Sequence, residues 1–111
     1  MRNKRPLVLL LLACCLAQPA FGQTMYGDRD CGQWMKRTNS AMSNNAAESW
    51  LAGYMSGLNT MYWVENKKSD PLNKVNSLDQ MVLWMDNYCN KNPLNRVSQG
   101  GFDLFVELMD K

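Results

Sequence analysis

The chain has 111 residues, a formal net charge of +2 and no histidine. A chain of this length forms one small domain. The lack of histidine excludes a Ser-His-Asp or Cys-His nucleophile, an imidazole general base and a histidine-ligated zinc. We therefore expect neither a metal nor a cofactor.

Residues 1–22 have the pattern of a secretory signal peptide. A start with three Lys or Arg residues is followed by an almost purely apolar run over 7–16, and residues 20–22 form a small-x-small cleavage site. Because the run is shorter than the roughly 20 residues of a spanning helix, we expect no membrane span. We predict export to the bacterial periplasm, cleavage before Gln23 and a single helical domain over 23–111.

A lipid anchor is the alternative to cleavage before Gln23. Leu11-Leu12-Ala13-Cys14 resembles the lipobox of bacterial lipoproteins, in which Cys14 would carry the lipid. Loss of 1–22 removes three of the twelve Lys and Arg residues, and the nine that remain stand against ten Asp and Glu, a charge of −1. Because phosphate recognition needs clustered Lys and Arg, we expect no nucleic-acid partner.

Two of the four cysteines lie in the predicted signal, which leaves Cys31 and Cys89 as the pair in the remaining chain. In an oxidising compartment such a pair forms a disulfide by default. A metal pair or a catalytic thiol is the competing interpretation, and the lack of histidine disfavours both. We predict a disulfide that stabilises the fold by roughly 4 kcal/mol.

The stretch 45–64 is the longest helical pattern and predicts a central helix. Asn45 and Glu48 have the spacing of a capping box, and apolar residues recur at helical steps. A second stripe on this helix is made of small residues, among them Gly53 and Gly57. Small residues at such steps allow another backbone to come close, so we expect these two glycines to pack against a neighbouring helix.

Three further helices complete the predicted all-α fold. The first starts at Asp30, the third covers Ser77 to about Lys91, and the last follows Asn92-Pro93. The last helix contains Gly100-Gly101, which we expect to pack on Gly53 and Gly57. A break at Gly100, with a short final helix from Phe102, is the alternative. The segment 65–76 is predicted to be a solvated loop.

The acidic residues give little sign of catalysis. Asp30, Glu48 and Asp79 fall in first turns, where they complement the helix dipole. Asp86 lies between Trp84 and Tyr88 in the sequence. We interpret Asp86 as facing solvent, and a buried or partner-facing carboxylate is the alternative.

The chain is rich in Trp, Tyr and Met, which are common at protein interfaces. Met61, Tyr62 and Trp63 on the central helix, together with Trp84, exceed what a small interior readily hides. One interpretation is a dense core with partly exposed rings. The other is a surface for a dimer or a client protein, to which these four residues and Asp86 would contribute.

The order of motifs resembles the HdeA/HdeB group of small periplasmic proteins. It consists of a signal, Cys31-Gly-Gln-Trp34, Leu51-Ala-Gly-Tyr54, and a third helix with Cys89 just before Asn92-Pro93. The same helical arrangement is similar to that of Tai-type immunity proteins, which neutralise amidase effectors of type VI secretion. The resemblance implies an all-α, disulfide-stapled protein that binds other proteins.

We therefore predict a non-enzymatic exported protein whose partner is another protein, with a homodimer as one option. The partner would be an effector, which implies an immunity or inhibitor role, or an unfolding client, which implies an acid-stress chaperone. HdeA-like chaperones are rich in charge, whereas this chain is dominated by Asn, Ser, Met and aromatic residues. The alternatives are an accessory factor of an envelope conjugation or secretion system and a carboxylate-based cell-wall hydrolase.

Overall fold

The computed structural model describes residues 23–67 and 69–111. The predicted signal over 1–22, with the lipobox residue Cys14, lies outside these residues. Four α-helices form within the described ranges: α1 Cys31–Met35, α2 Ala41–Asn66, α3 Leu78–Lys91 and α4 Val97–Asp110. Short 3₁₀ turns cover Arg37–Asn39 and Pro71–Lys74. The predicted all-α fold around a central helix is confirmed.

The central helix α2 starts earlier than predicted. Its N-cap is Ser40, whose hydroxyl accepts a hydrogen bond from the Ser43 backbone N–H at 3.1 Å. Asn45 and Glu48 have the right spacing for a capping box but lie inside the helix, so the predicted start at residue 45 is wrong. At the other end Lys67 adopts a left-handed conformation, with φ of 52°, and its N–H bonds to the Trp63 carbonyl. The 26 residues of α2 give a rod about 39 Å long.

Two of the predicted helix starts agree with the structure. Asp30 and Gln33 form a reciprocal capping box at α1, with hydrogen bonds of 2.7 and 3.1 Å. At α3 the Ser77 hydroxyl accepts from the Gln80 N–H at 3.3 Å. The Gln80 side chain reaches one residue further back than a capping box requires, because it accepts from the Asn76 N–H.

Helix α4 starts later than predicted. Asn92 does not cap it, because both the backbone N–H and the side-chain amide of Asn92 donate to the Tyr88 carbonyl and close α3 instead. The first turn of α4 is held by Gln99, whose side chain accepts from the Arg96 N–H at 2.8 Å. The helix continues through Gly100 and Gly101 without the break that was the alternative.

The core lies where α1, α3 and α4 meet the inner face of α2. Its fully buried side chains include Trp34, Leu51, Met55 and Met85. Cys31 and Cys89 form the predicted disulfide, are themselves buried, and join α1 to α3. Because α1 has only five residues and such a helix is marginal alone, this bond helps to fix it to the rest of the domain.

The segment before α1 is tied to the start of α4. Its backbone pairs with 95–97 through hydrogen bonds of 2.9 Å from Cys31 and 2.8 Å to Arg29. The largely buried Asp28 carboxylate accepts from Arg96 Nε at 2.8 Å and from the Ser98 hydroxyl at 2.7 Å. The segment before α1 is thus held against the start of α4.

The two glycine pairs do not pack on each other, which corrects the expectation from the sequence. A Cβ atom on Gly100 would lie 2.6 Å from the Tyr88 ring, and one on Gly101 would lie 2.7 Å from the Tyr54 ring. Gly53 and Gly57 have no atom within 4 Å of the same position. Among the described residues, therefore, Gly100 and Gly101 are packing positions, whereas Gly53 and Gly57 face outward.

Candidate binding sites

One side of α2 is exposed along nearly its whole length. We call it the open face, and its eight exposed members follow helical steps of three or four residues, with Thr60 and Met61 adjacent: Met42, Ala46, Ser49, Gly53, Gly57, Thr60, Met61 and Val64. None is charged, and α2 as a whole carries only Glu48 and Glu65. The Thr60 hydroxyl donates to the carbonyl of Ser56 at 2.9 Å, so it already has a partner within the helix.

The largest apolar side chains of the open face stand at its two ends. Met42 is 83% exposed, while Met61 and Val64 are 62% and 53% exposed. Between these ends lie the two open glycines. From residue 42 to residue 64 the face is about 33 Å long, and it is smooth in the middle and apolar at the ends.

The three predicted partner residues at the end of α2 do not form one surface. Successive helix residues are about 100° apart, so they project in different directions. Met61 belongs to the open face. Tyr62 turns to the core, where its ring packs edge-on against Phe105 at 5.7 Å, and Trp63 is exposed on another side of the helix.

Asp86 has a structural role and is only partly exposed, with 34% of its side chain open to solvent, which corrects the interpretation that it simply faces solvent. One carboxylate oxygen accepts from the Trp34 indole N–H at 2.8 Å and lies 2.8 Å from the Arg37 guanidinium. The second accepts from the same guanidinium at 3.3 Å. Arg37 is buried and lies over the Trp34 ring, 4.1 Å from its centroid. The group joins α3 to α1 beside the disulfide.

Trp84 belongs to a feature that the sequence interpretation missed. Its ring stacks on Tyr88 with centroids 5.4 Å apart, and its indole N–H donates to Glu107 at 3.1 Å. Trp50 and Tyr54 form the same arrangement on α2, with centroids 5.1 Å apart. The signal was the repeated Trp-x-x-x-Tyr spacing, because residues four apart share a helix face.

The two tyrosines of these stacks line one cleft of about 360 Å³, which we call the twin-tyrosine cleft. Its walls come from the segment before α1, from α2 and α3, and from the start of α4. The lining residues are Gln23, Met25, Tyr54, Tyr88, Asn95, Ser98, Gln99, Phe102 and Asp103. The Tyr88 hydroxyl accepts from the Asn95 side chain at 2.8 Å. Burial, with a smaller contribution from the negative charge of Asp28, raises the pKa of Tyr54.

Comparison of the chain with protein-family models, with curated proteins and with solved structures gave no match. The resemblance to HdeA/HdeB-like and Tai-type proteins therefore stays a prediction. Within 23–67 and 69–111, no three His, Cys, Asp or Glu side chains are grouped so that they could hold a metal ion. No helix of the described chain has both the length and the apolar character needed to cross a bilayer.

Proposed function

We propose that this is a non-enzymatic, periplasmic protein that acts by binding one partner protein through the open face of α2. The observation that supports the proposal is the pair of exposed glycines in the middle of this face. A glycine inside a helix costs about 1 kcal/mol relative to alanine. Within the described chain, nothing packs against the side-chain position of Gly53 or Gly57. A partner whose backbone lay against these glycines would need the space that they leave.

The composition of the face supports a protein partner rather than solvent alone. A solvent-facing helix surface normally carries charged residues, and this one has none over eight exposed positions. Exposed apolar side chains at its ends, such as Met42 and Met61, are typical of an interaction site. A partner whose own helix or strand presents small and apolar side chains would fit the smooth centre.

The role we favour is that of an inhibitor or immunity protein, which needs a fixed binding surface at neutral pH. The disulfide and the buried Arg37 against Asp86 give the domain such a fixed frame. An acid-stress chaperone is the second candidate, because Asp86 and Asp28 both make ion pairs with arginine. Loss of these ion pairs would loosen the segment before α1, whereas the disulfide would still hold α1 to α3.

The proposal is tested by capture of partners from periplasmic extract, at neutral and at acid pH. Gly57→Lys puts a charged side chain on the open face where there is space for it, and Asn90→Lys puts the same charge on an exposed position of α3. We expect both variants to melt like the parent, and only Gly57→Lys to lose the partner. Equal capture by the parent and by Gly57→Lys would contradict the proposal.

The other roles are separated by three further measurements. Size-exclusion chromatography shows whether the occupant of the open face is a second copy of the chain. Suppression of aggregation of an unrelated client at acid pH, lost at neutral pH, would favour the chaperone role. Turnover of peptidoglycan by the purified protein would favour the hydrolase, and a partner belonging to an envelope conjugation or secretion system would favour the accessory role.

A further inference from the structure

Residues 23–28, which we call the strap, contribute no buried side chain to the domain. The chain is anchored directly after them, because the Arg29 carbonyl accepts from the Val97 N–H and Cys31 is buried in the disulfide. Segments with few buried apolar contacts open locally while the rest of a protein stays folded. The strap can therefore leave the domain, with Arg29 as its hinge, without unfolding α1 or α4.

The strap is latched by Asp28, which caps α4 from a distant part of the chain. Arg96, the N-cap residue of α4, has a side chain without an acceptor atom. Asp28 supplies the acceptor, since its carboxylate accepts from the Ser98 backbone N–H at 3.0 Å as well as from the Ser98 hydroxyl and from Arg96 Nε. Loss of the Asp28 carboxylate would free the strap, while the Gln99 side chain would still hold the first turn of α4.

The strap covers one edge of the Trp50 ring. The Tyr26 carbonyl accepts from the Trp50 indole N–H at 2.6 Å. Gly27 turns the chain there with φ of 81°, which glycine adopts readily, and a Cβ atom on it would lie 2.7 Å from the ring. Departure of the strap would expose the indole N–H and the ring atoms beside it, while the stack of Trp50 on Tyr54 remains.

The covered ring borders the open face of α2. Trp50 stands three residues before Gly53, and residues at this spacing are neighbours on a helix surface. Both line one pocket of about 260 Å³, together with Met25 and Tyr26 of the strap. Tryptophan is enriched among the residues that contribute most to the free energy of protein binding. The strap thus covers the aromatic ring that lies next to the smooth centre of the open face.

We propose that the strap is a detachable cover: it opens about Arg29 while the rest of the domain stays folded, and its departure makes the Trp50 ring available to the partner protein. The opening concerns the domain alone, whereas the use of Trp50 by a partner rests on the proposed function of the open face. Cleavage before Gln23 would place an α-ammonium group in the same cleft as Asp103. Both residues are exposed, and a pair of exposed charges is too weak to replace the Asp28 latch.

The test is hydrogen exchange of the indole N–H groups, followed by NMR in the protein expressed with its leader and purified from the periplasm. Trp50 reports on the strap, because its N–H is bound to Tyr26. Trp34, fully buried and bound to Asp86, reports on global unfolding, and Trp63, 54% exposed, gives the rate of a solvent-facing indole. We expect exchange at Trp50 to be at least about 100-fold faster than at Trp34. Equal exchange at these two indoles would overturn the proposal.

Asp28→Ala removes the latch. Exchange at Trp50 should then rise to within about threefold of Trp63, while Trp34 stays protected. Acceleration of Trp50 and Trp34 to one common rate would mean that the strap leaves only on global unfolding, and would overturn the proposal. Asp110→Ala removes a carboxylate from the exposed end of α4 and should change neither rate. Asp28→Asn keeps an acceptor oxygen and takes the place of Asp28→Ala if that variant does not fold, with a smaller increase expected at Trp50.

Capture from periplasmic extract tests the link to the open face. With its strap open, Asp28→Ala should capture at least about twofold more of the partner than the parent does, and Trp50→Phe should capture less. Equal capture by all three proteins would overturn the use of Trp50 by the partner. Absence of any partner would overturn that use together with the proposed function, and the opening of the strap would still be decided by the exchange rates.

Discussion

The two glycine pairs of the domain look alike in the sequence and have opposite surroundings in the structure. Gly100 and Gly101 lie against the rings of Tyr88 and Tyr54, with no room for a Cβ atom. Gly53 and Gly57 have open space at the same atom. A run of small residues shows where a close approach is allowed. It does not show whether the approaching group belongs to the same chain, and that difference separates a packing position from a candidate interface.

The disulfide helps to hold the region around Gly100 and Gly101. Tyr88, whose ring lies against Gly100, directly precedes Cys89 on α3. Replacing both Cys31 and Cys89 by Ala should lower the free energy of unfolding by about 4 kcal/mol on the chain-entropy model. Urea denaturation of the parent and the variant measures this. Hydrogen exchange at Gly100 should accelerate as the fold loosens. A loss below about 1 kcal/mol would contradict the chain-entropy account of this bond.

Gly101→Leu should lower the free energy of unfolding by about 3 kcal/mol. Its side chain would collide with the Tyr54 ring and with the sulfur of Met55, which lies 3.4 Å from the Cβ position, and overpacking of this kind costs about 1–3 kcal/mol or more. Thermal unfolding of parent and variant provides the measurement. Gly57→Leu is the matched control, and equal destabilisation of the two variants would contradict the assignment.

Gly57→Ala should raise the free energy of unfolding, whereas Gly101→Leu lowers it. Nothing contacts this position in the described chain, and alanine favours a helix over glycine by about 1 kcal/mol, so the free energy of unfolding should rise by up to that amount. The expectation drawn from the sequence, close packing at Gly57, predicts a loss instead. A rise in stability combined with weaker partner binding would show that the glycine is kept for the interface.

Much of the fold followed from local patterns. The helices, the Asp30 cap, the Ser77 cap and the disulfide partners depend on nearby residues or on there being one cysteine pair, and these predictions agree with the structure. The predicted start of α2 was wrong because Ser40 and Asn45 both suit an N-cap. Which of the two caps the helix depends on how the chain runs from α1 into α2. The start of α4 depends on pairing with the distant segment 28–31.

The candidate sites were less predictable, because they depend on contacts between residues far apart in the chain. Asp86 lies 52 residues from Trp34, and no local pattern links the two. Gly100 and Gly101 pack against tyrosine rings rather than against Gly53 and Gly57, and this too depends on the tertiary structure. The Trp-x-x-x-Tyr repeat was visible in the sequence, yet its meaning depends on where α4 lies between the two stacks.

The smallest expected effect is the contribution of the Glu107 charge, next to the Trp84–Tyr88 stack, to the free energy of unfolding. Glu107 accepts from the Trp84 indole N–H and pairs with Lys111 at 2.8 Å, and hydrogen bonds from Lys111 and then Trp84 lower the pKa of Glu107. A lowered pKa in the folded state adds stability that is present above the ordinary carboxylate value, near pH 4.5, and is lost as pH falls through the lowered value. Because the pair is exposed, the contribution should be only about 0.3 kcal/mol.

Glu107→Gln keeps a side-chain oxygen for the Trp84 N–H and removes the charge, so it isolates this contribution. The variant should be slightly less stable than the parent at pH 7, and the difference should vanish once the parent's carboxylate is protonated. Urea denaturation at several pH values between 7 and 3 measures it. Asp110→Asn is the control for loss of a charge at the same end of α4. A difference that persists at pH 3 would mean that the stability lost in the variant does not come from the charge of Glu107.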